Sequence, residues 1–270
     1  MNSLQDKVII ITGASSGIGK ALAEEAMKHQ MKVVMVARSL ESMEIIAETN
    51  KWDAHNFLII KADVTKEEDC KRIVEESVAK FNKIDILINN AGISMRALFE
   101  ETEIAVLKKV MDVNFWGTVY CTSYALPYLL KSKGSVVGIS SVAGYKGLPG
   151  RTGYAASKFA IRGFFESLRI ENMKKGLHVL IACPGFTTSN IRKTALTSDG
   201  SQQAESPRDE EKMMSAETVA VRVLRAVAKR KPSLVLTTTG HLTVFLNKFV
   251  PGMVDKMVFN HMAKETDAPC

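Results

Sequence analysis

Short apolar runs separated by amphipathic stretches constrain the fold of this sequence more than any other feature. The runs lie at residues 7–11, 32–37, 57–62, 84–89, 135–140, 177–183 and 233–237. Strands of a parallel sheet are covered on both faces and therefore form continuous apolar runs. The pattern predicts an α/β fold with a doubly wound parallel sheet of about seven strands and helices on both faces. Ligands of such sheets bind at the carboxyl ends of the strands.

The length and composition suit one α/β domain. The chain has 270 residues and 46% hydrophobic content, and no linker or repeat divides it. Folds of this class often exceed 200 residues without splitting. We therefore expect a single domain over residues 1–270, with a polar lid at about 190–215 and a C-terminal extension at about 238–270.

A glycine-rich segment follows the first apolar run. It reads Thr-Gly-Ala-Ser-Ser-Gly-Ile-Gly from Thr12 to Gly19. Glycines let the backbone approach a diphosphate, and a helix starting there offers free N–H groups and a positive dipole end. The Gly-x-x-x-Gly-x-Gly spacing differs from the common dinucleotide pattern. A purely structural glycine turn is the alternative interpretation.

Tyr154 and Lys158 lie four residues apart, so on a helix they share one face. A phenol has an ordinary pKa of about 10, and a nearby cation favours its ionised form. We therefore expect Lys158 to lower the pKa of Tyr154 and to make it an acid/base near neutrality. Ser141 follows the fifth apolar run and would bring a hydroxyl beside this helix. Ser140 is the alternative, because side chains alternate between faces of a strand.

Together these residues resemble the short-chain dehydrogenase/reductase (SDR) family, in its compact single-domain branch. The resemblance extends from Val8 to about Ser189. The family element Thr-Gly-x-x-x-Gly-x-Gly stands at 12–19, Asn-Asn-Ala-Gly at 89–92 and Tyr-x-x-x-Lys at 154–158.

Two further family features are an Asn in a helix before the catalytic strand and a Pro-Gly after the sixth strand. They are matched by Asn114 and by Pro184-Gly185. The resemblance selects Ser141 over Ser140. The implied catalytic residues are Asn114, Ser141, Tyr154 and Lys158.

The resemblance also implies a set of residues that bind a nicotinamide dinucleotide. They are Gly13, Ser15, Ser16, Gly17, Ile18, Gly19, Arg38, Asp63, Val64, Asn90, Ala91, Gly92, Tyr154, Lys158, Pro184, Gly185, Phe186, Thr187 and Ser189. The last segment departs from the usual Pro-Gly-x-Val-x-Thr. Which of Thr187, Thr188 and Ser189 contacts the cofactor therefore stays open.

The end of the second strand indicates the choice between NAD and NADP. NAD-binding proteins of this fold place an acidic side chain about 20 residues beyond the glycine loop. This chain has Ala37-Arg38-Ser39 there. A guanidinium forms charge-assisted bonds with a 2′-phosphate, so we predict NADP(H). The alternative is that Arg38 is a solvated loop residue.

Asp63 follows the third strand, where family members hold the adenine. The local alternative is a capping box from Thr65 to Glu68, with Asp63 supporting the start of a helix.

The implied reaction is reversible hydride transfer between the nicotinamide and a carbonyl carbon. In reduction Tyr154 gives a proton to the developing alkoxide and Ser141 hydrogen-bonds the same oxygen. Lys158 would bind the nicotinamide ribose. Asn114 would hold a water that links Lys158 to solvent.

The charge and cysteine patterns exclude other classes. The net charge is +7, but the basic cluster Arg222, Arg225, Lys229, Arg230 and Lys231 lies on a predicted helix that also carries apolar residues at helical spacing. Its charges are therefore solvated, and we expect no nucleic-acid partner. The four cysteines, Cys70, Cys121, Cys183 and Cys270, form no metal-ligand pattern, so we expect reduced thiols and no metal.

The N-terminal region leaves no room for a signal peptide before the first strand at residue 7. No apolar stretch reaches about 18 residues. We expect a soluble cytoplasmic protein.

By resemblance, residues 93–99, 142–153 and 186–215 form the substrate pocket. Met95, Leu148, Pro149 and Phe186 indicate that it is apolar. The polar stretch 197–212 predicts a mobile lid, with a disordered surface loop as the alternative.

Residues 241–262 are apolar but broken at Pro251-Gly252. We expect them to cover the active-site mouth or a partner subunit. Attachment to a membrane surface is the alternative.

The leading functional interpretation is an NADP(H)-dependent oxidoreductase acting on a carbonyl or secondary alcohol of an apolar, lipid-like or steroid-like molecule. One alternative is a 3-oxoacyl thioester reductase acting on an acyl carrier protein. Another is a non-catalytic dinucleotide sensor, although such sensors have typically lost the tyrosine and lysine. Kinship implies a homodimer or homotetramer that pairs through helices at about 103–131 and 152–174.

Overall fold

All seven strands of the sheet run in the same direction. The computed structural model describes residues 4–206, 213–265 and 268. The strands are β1 (Val8–Thr12), β2 (Lys32–Ala37), β3 (Phe57–Lys61), β4 (Ile86–Asn89), β5 (Ser135–Ile139), β6 (His178–Cys183) and β7 (Ser233–Val235). They are ordered β3-β2-β1-β4-β5-β6-β7. The order reverses between β1 and β4, so the predicted doubly wound parallel sheet is confirmed.

The helices cover both faces of this sheet. In the part of the chain that the structure describes they are α1 (Gly17–Lys28), α2 (Leu40–Thr49), α3 (Glu67–Phe81), α4 (Ile104–Met111), α5 (Gly117–Lys131), α6 (Thr152–Glu171), α7 (Ala216–Ala228), α8 (Thr238–Leu246) and α9 (Pro251–Met262). Helices α1, α2 and α7 share one core with Ile9 and Ile11 of β1. Helices α3, α5 and α6 share the other with Ile10. Alternate residues of a strand point to opposite faces, which is why the runs are apolar throughout.

The fourth predicted strand begins two residues later than expected. Asp85 is buried, and its carboxylate accepts a hydrogen bond from the Val8 backbone at 2.9 Å. It also pairs with Lys7 at 3.1 Å and Lys83 at 3.0 Å. Burial raises the pKa of this carboxyl, but these donors outweigh it and leave the pKa below its ordinary value. The aspartate therefore joins β4 to the start of β1.

The basic cluster lies largely where the sequence predicts. Val219, Val223 and Leu224 are fully buried on α7, while Arg222 and Arg225 are exposed on its other side. The helix ends at Ala228, so Lys229, Arg230 and Lys231 follow it rather than belong to it.

The C-terminal extension forms two helices. Pro251 stands in the first turn of α9, so the predicted break between two helices is confirmed. Several large apolar residues of α8, α9 and their connection are exposed, with Phe249 the most exposed at 70%. Among the described residues, no helix is long and apolar enough to cross a membrane.

Two cysteines far apart in sequence meet in the core. Cys70 on α3 and Cys121 on α5 are buried, with their Sγ atoms 3.4 Å apart. Both are free thiols, as is Cys183. Cys270 lies outside the described residues.

Candidate active site

The sequence motifs meet at the carboxyl edge of the sheet. β1, β4, β5 and β6 are neighbours, so the residues after them occupy adjacent positions along one edge. Thr12 shows how closely they are joined. Its Oγ1 accepts hydrogen bonds from the backbone N–H groups of Asn90 and Ala91, both at 3.0 Å. The edge includes the point where the strand order reverses, which is the usual ligand crevice of such sheets.

Tyr154 and Lys158 lie on the same face of α6. The Lys158 Nζ is 5.6 Å from the centroid of the Tyr154 ring. Lys158 is buried and donates a hydrogen bond to the Ile139 carbonyl at 2.9 Å. The helical spacing therefore produces the expected proximity and fixes the ammonium against the end of β5.

The two neighbouring serines have different partners. Ser140 is buried, and its hydroxyl donates to the Lys158 carbonyl at 3.1 Å. Ser141 is partly exposed, caps the 3₁₀ turn Val142–Gly144 and hydrogen-bonds the Tyr154 side chain. Because side chains alternate between faces, the two serines have different roles. Ser141 lies next to Tyr154, and Ser140 bonds α6 to the end of the strand.

The electrostatics of Tyr154 differ from the sequence prediction. Burial among surrounding protein atoms raises the pKa of this phenol above its ordinary value. The Ser141 hydroxyl and the charges of Arg151 and Arg192 act in the opposite direction but do not compensate. The expectation that Lys158 lowers this pKa is therefore wrong for this structure, because desolvation is the larger effect.

Burial also changes Lys158 itself. Removal from solvent disfavours its charged form and lowers the pKa of its ammonium to about 8. The lysine is therefore poised to exchange a proton close to neutral pH.

Asn114 joins the loop after β4 to the catalytic helix. It lies fully buried in a π-helical segment, Asp112–Trp116, between α4 and α5. Its side chain accepts from the Ile93 N–H at 2.8 Å and donates to the Ser157 hydroxyl at 2.8 Å. A Cβ atom built on Gly92 would lie 3.2 Å from Asn114 Oδ1 and 3.5 Å from Lys158 Nζ. Asn114 and Lys158 thus border the same glycine.

Ser157 is a residue that the sequence analysis did not select. It is fully buried and donates to the Tyr154 carbonyl at 2.7 Å while accepting from Asn114. Its position three residues after Tyr154 is the signal that could have found it, because such hydroxyls reach back to the preceding turn.

The glycine turn between β1 and α1 fits a dinucleotide diphosphate. Gly13 and Gly17 have φ of +68° and +53°, a region that side chains rarely adopt. A Cβ on Gly19 would collide with the Gly13 carbonyl oxygen. Ser15, Ser16 and Ile18 complete the turn, and Ser16 precedes α1 without a side-chain cap. The backbone is therefore open to a bound phosphate at the start of a helix.

Asn90, Ala91 and Gly92 follow β4 and support this turn. The Asn90 side chain donates to the Thr12 and Gly13 carbonyls at 2.9 and 3.2 Å. A Cβ on Gly13 would lie only 2.9 Å from the Ala91 Cα. The two segments are thus packed backbone to backbone.

Arg38 is exposed immediately after β2. Among the residues that the structure describes, it forms no ion pair within 4 Å. Ser39, the next residue, caps α2. The guanidinium is thus accessible beside the carboxyl ends of β1 and β2.

Asp63 stands after β3, but the predicted capping box is not formed. Helix α3 begins at Glu67, and the residue before it, Lys66, makes no side-chain cap. Asp63 Oδ1 instead accepts from the Thr65 N–H and hydroxyl at 3.0 and 2.9 Å. The following Val64 is buried against α5, where a Cβ on Gly117 would collide with it. Asp63 therefore shapes a local turn after β3.

The three hydroxyl residues after β6, among which the sequence did not decide, lie in different environments. Thr187 is buried and donates to the Gly185 carbonyl at 3.2 Å. Ser189 lies beside the glycine turn, since a Cβ on Gly17 would be 3.3 Å from Ser189 Cβ. Thr188 is exposed and binds the Met214 carbonyl through its backbone. Ser189 is thus the residue of the three that borders the glycine turn.

Pro184 is buried at the end of β6. Gly185 packs against Thr237, since a Cβ atom built on Gly185 would lie 2.6 Å from the Thr237 hydroxyl oxygen. Phe186 is exposed, with its ring 6.2 Å from that of His261 on α9. The C-terminal extension therefore approaches the loop after β6. Asn247 adds a hydrogen bond to the Tyr145 carbonyl at 3.1 Å.

The predicted substrate loops lie together around Tyr154. Met95 is fully buried and packs with Val106, Val110 and Leu196, against which Tyr154 also packs. Leu148 and Pro149 are partly buried. Tyr154 thus borders an apolar cluster that two of these loops share with α4.

Backbone hydrogen bonds hold residues 196–201 of the predicted lid region. Backbone hydrogen bonds join Leu196 to Ser94 and Arg96 at 2.9 and 2.8 Å. A turn follows in which the Thr197 N–H donates to the Ser201 carbonyl at 2.9 Å. Residues 207–212 lie outside the described residues.

Three arginines were missed by the sequence analysis. Arg96, Arg151 and Arg192 belong to the first, second and third substrate loops, and their side chains are largely buried. Arginine is almost never buried without a partner. No pattern in the sequence distinguishes them from solvated arginines, because their burial arises only when the three loops meet.

The sequence profile of the short chain dehydrogenase family matches residues 7–199. A protein of Arabidopsis thaliana named 11-beta-hydroxysteroid dehydrogenase-like 2 is 43% identical over 187 residues, which cover 68% of this chain and 60% of that protein. The chain thus spans about 60% of the length of that relative. A Dictyostelium discoideum protein named dehydrogenase/reductase SDR family protein 7-like is 35% identical over 261 residues, covering 94% of this chain and 81% of its own.

A solved structure of similar fold is a short chain dehydrogenase/reductase from Burkholderia phymatum in complex with NAD. It superposes with a TM-score of 0.83 at 22% identity and covers 94% of this chain and 96% of its own. At that identity the likeness supports the fold alone.

Proposed function

Because the chain belongs to the short-chain dehydrogenase family, we propose that it is an NADP(H)-dependent oxidoreductase that interconverts a carbonyl and a secondary alcohol. The observation that carries the proposal is the group formed by Ser141, Tyr154 and Lys158 at the carboxyl end of β5. It lies on the same sheet edge as the glycine turn between β1 and α1. A proton donor and a dinucleotide cradle are the two parts that such a reaction requires.

Each part of the cofactor has residues suited to it. The glycine turn and Ser189 would hold the diphosphate, and Arg38 would bind the 2′-phosphate. Asp63 and Val64 would border the adenine, and Asn90 to Gly92 the adenosine ribose. Lys158 would bind the nicotinamide ribose. When bound, the nicotinamide supplies or accepts the hydride.

The residues of the chain provide the proton and orient the substrate. In reduction Tyr154 donates its phenolic proton to the oxygen of the carbonyl group as that oxygen becomes an alkoxide. The raised pKa of Tyr154 keeps the phenol protonated at neutral pH, which suits a proton donor. Ser141 hydrogen-bonds the same oxygen, and Lys158, with a pKa of about 8, can return a proton toward Tyr154. Asn114 and Ser157 position the turn of α6 that bears Tyr154.

The substrate is proposed to have an apolar body. Tyr154 packs against the apolar cluster of Met95, Val106, Val110 and Leu196, and burial of apolar surface there favours a ligand of the same character. Relatives named 11-beta-hydroxysteroid dehydrogenase-like agree with a secondary alcohol on a hydrophobic skeleton.

A direct test follows the absorbance of the reduced nicotinamide while purified protein is offered a panel of ketones, aldehydes and oxoacyl thioesters with NADPH. We expect NADPH-dependent reduction of an apolar carbonyl by the wild type. Tyr154→Phe should lose at least about a hundredfold in turnover, since removal of a general acid costs that much or more. Its NADPH affinity, measured by fluorescence titration, should stay within about threefold, a change below 1 kcal/mol.

Full activity of Tyr154→Phe would refute the proposed acid. Absence of NADPH binding to the wild type would refute the cofactor site.

A further inference from the structure

Two arginines from different loops converge on one carboxylate near the start of α6. Arg96 follows β4, and its Nε lies 3.4 Å from Glu265 Oε2. Arg151 immediately precedes α6, and its Nη1 lies 3.6 Å from Glu265 Oε1. The carboxylate is buried, as are most atoms of both guanidinium groups. Glu265 follows α9, so the anion comes from the C-terminal extension.

The cations are anchored on the rigid side of this contact. The Arg96 backbone N–H donates to the Leu196 carbonyl at 2.8 Å, and the next residue, Ala97, donates to the Gly150 carbonyl at 3.0 Å. The Arg151 carbonyl accepts the first hydrogen bond of α6, from Ala155 at 2.8 Å. Glu265 instead lies in the C-terminal extension, after helices α8 and α9. The arginines are thus fixed by the catalytic scaffold, and the carboxylate is brought to them.

Both arginines border the part of the site that holds Tyr154. Arg96 follows Met95, and Tyr154 packs against the cluster that contains Met95. Arg151 lies three residues before Tyr154. Its positive charge favours the ionised phenol and so offsets part of the increase in the Tyr154 pKa that burial causes.

We propose that Arg96 and Arg151 form a binding site for an anionic group of the substrate, a carboxylate or a phosphate, and that Glu265 occupies this site in its absence. The substrate would then combine an apolar body, held by the cluster around Met95, with a negative group held by the two guanidiniums. The planar fork of arginine suits either anion. The C-terminal extension would be displaced from the mouth when such a substrate binds. This inference rests on the proposed carbonyl reduction at Tyr154.

The test compares matched substrates with NADPH. One arm uses a long-chain oxo acid and its methyl ester, and the other uses a ketone bearing a phosphate monoester and the corresponding free alcohol. The readout is the ratio of kcat/KM for the anionic over the neutral member of each pair. For the wild type we expect a ratio of at least about 10 in one arm, because a hydrogen bond to a charged group contributes enough for a tenfold change. The arm with the larger ratio identifies the anion.

Variants separate a substrate site from a structural ion pair. Glu265→Gln removes the competing anion and should raise the ratio at least about threefold by lowering KM for the anionic substrate. The double variant Arg151→Met with Glu265→Gln removes one charge of each sign, so the buried cluster keeps the net charge that it has in the wild type. Its ratio should fall at least about tenfold below that of Glu265→Gln. Arg225→Met removes an exposed arginine from α7 and should leave the ratio unchanged.

The outcomes are distinguishable. Equal use of the neutral and anionic members by the wild type would overturn the anion site and leave carbonyl reduction intact. Loss of thermal stability in Glu265→Gln with no change in the ratio would identify the contact as structural and also overturn the inference. Reduction of neither member of any pair would overturn the proposed function and the anion site together.

Discussion

A single buried ammonium sets much of the electrostatic character of this site. Lys158 is almost inaccessible and hydrogen-bonds the end of β5. Its pKa falls to about 8 because the charged form is desolvated. The lysine therefore loses its proton at a lower pH than an exposed lysine does, and it lies beside Tyr154.

The buried ammonium predicts a pH-dependent stability. Below pH 8 the folded protein carries a desolvated charge, and between pH 8 and 10.5 it loses that proton while the unfolded chain keeps it. The wild type should therefore gain free energy of unfolding as pH rises through this window, by about 3 kcal/mol relative to Lys158→Met. Urea unfolding of both proteins at pH 7, 8, 9 and 10 measures the difference. A difference that stays constant with pH would contradict the lowered pKa.

Arg38 provides the second prediction for a single residue. Arg38→Ala should lower kcat/KM for NADPH at least about tenfold while that for NADH changes little, because only NADPH offers a phosphate to the guanidinium. Initial rates with each cofactor give the ratio. Lys71→Ala, which removes an exposed cation from α3, serves as control. An unchanged NADPH preference in Arg38→Ala would show that another group recognises the phosphate.

At the scale of single residues, spacing predicted proximity but not environment. Tyr154 and Lys158 share a face as a period of 3.6 requires, and Ser141 lies beside them. The predicted direction of the Tyr154 pKa shift was wrong, because the shift depends on how many protein atoms surround the phenol. Glu265 could not be connected to Arg96, since 169 positions separate them in the chain.

Among the elements, β5 and α6 define the distance between Ser141 and Tyr154. Gly138 of β5 faces α6, and a Cβ there would overlap the Phe165 ring and lie 3.2 Å from Ile161. The missing side chain lets the helix approach the strand closely. Gly138 thus helps to set the separation between the strand that leads to Ser141 and the helix that bears Tyr154.

Gly138→Ala should destabilise the protein by about 1–3 kcal/mol through overpacking. Guanidinium unfolding measures the loss. Adding Phe165→Leu should recover part of the lost stability, because the Phe165 ring is the group that the new methyl group would overlap. The matched control is Gly163→Ala on the exposed side of α6, where a Cβ meets no atom within 4 Å; it should stabilise by up to about 1 kcal/mol. A neutral Gly138→Ala would mean that α6 can shift freely.

The π-helical segment between α4 and α5 could not be predicted from the sequence. Periodicity indicates helix on both sides of Asn114, and the i→i+5 bonds at Asp112–Trp116 arise from packing. The strands, in contrast, were predicted within about two residues, because buried parallel strands leave a strong apolar signal. Asp85 shortened one of them for a reason visible only in three dimensions.

For the whole molecule, exposed apolar side chains mark surfaces that can pair. On or next to α5 and α6, Trp116, Phe159 and Ile170 are 44%, 44% and 67% exposed. These helices are the ones through which the family resemblance implies dimerisation. We therefore expect a dimer or tetramer in solution.

Phe159→Glu should weaken this assembly, because a charge placed in an apolar interface must be desolvated. Size-exclusion chromatography with light scattering at several concentrations gives the mass, which should approach the 29.7 kDa of one chain. Phe249→Glu changes an equally apolar residue between α8 and α9 and should leave the assembly intact. Dissociation by Phe249→Glu alone would assign pairing to the C-terminal extension.

Asn90 donates a hydrogen bond to the Thr12 carbonyl, and Gly17 lies close to Ser189. The two pairs join segments that are 78 and 172 residues apart in the chain. Loops of that length close late, since their ordering entropy must be met before the contact is gained. The cleft is therefore completed only after the central strands have assembled. A refolding chain should recover its nucleotide affinity in the final kinetic phase, after most of its helical circular dichroism has returned.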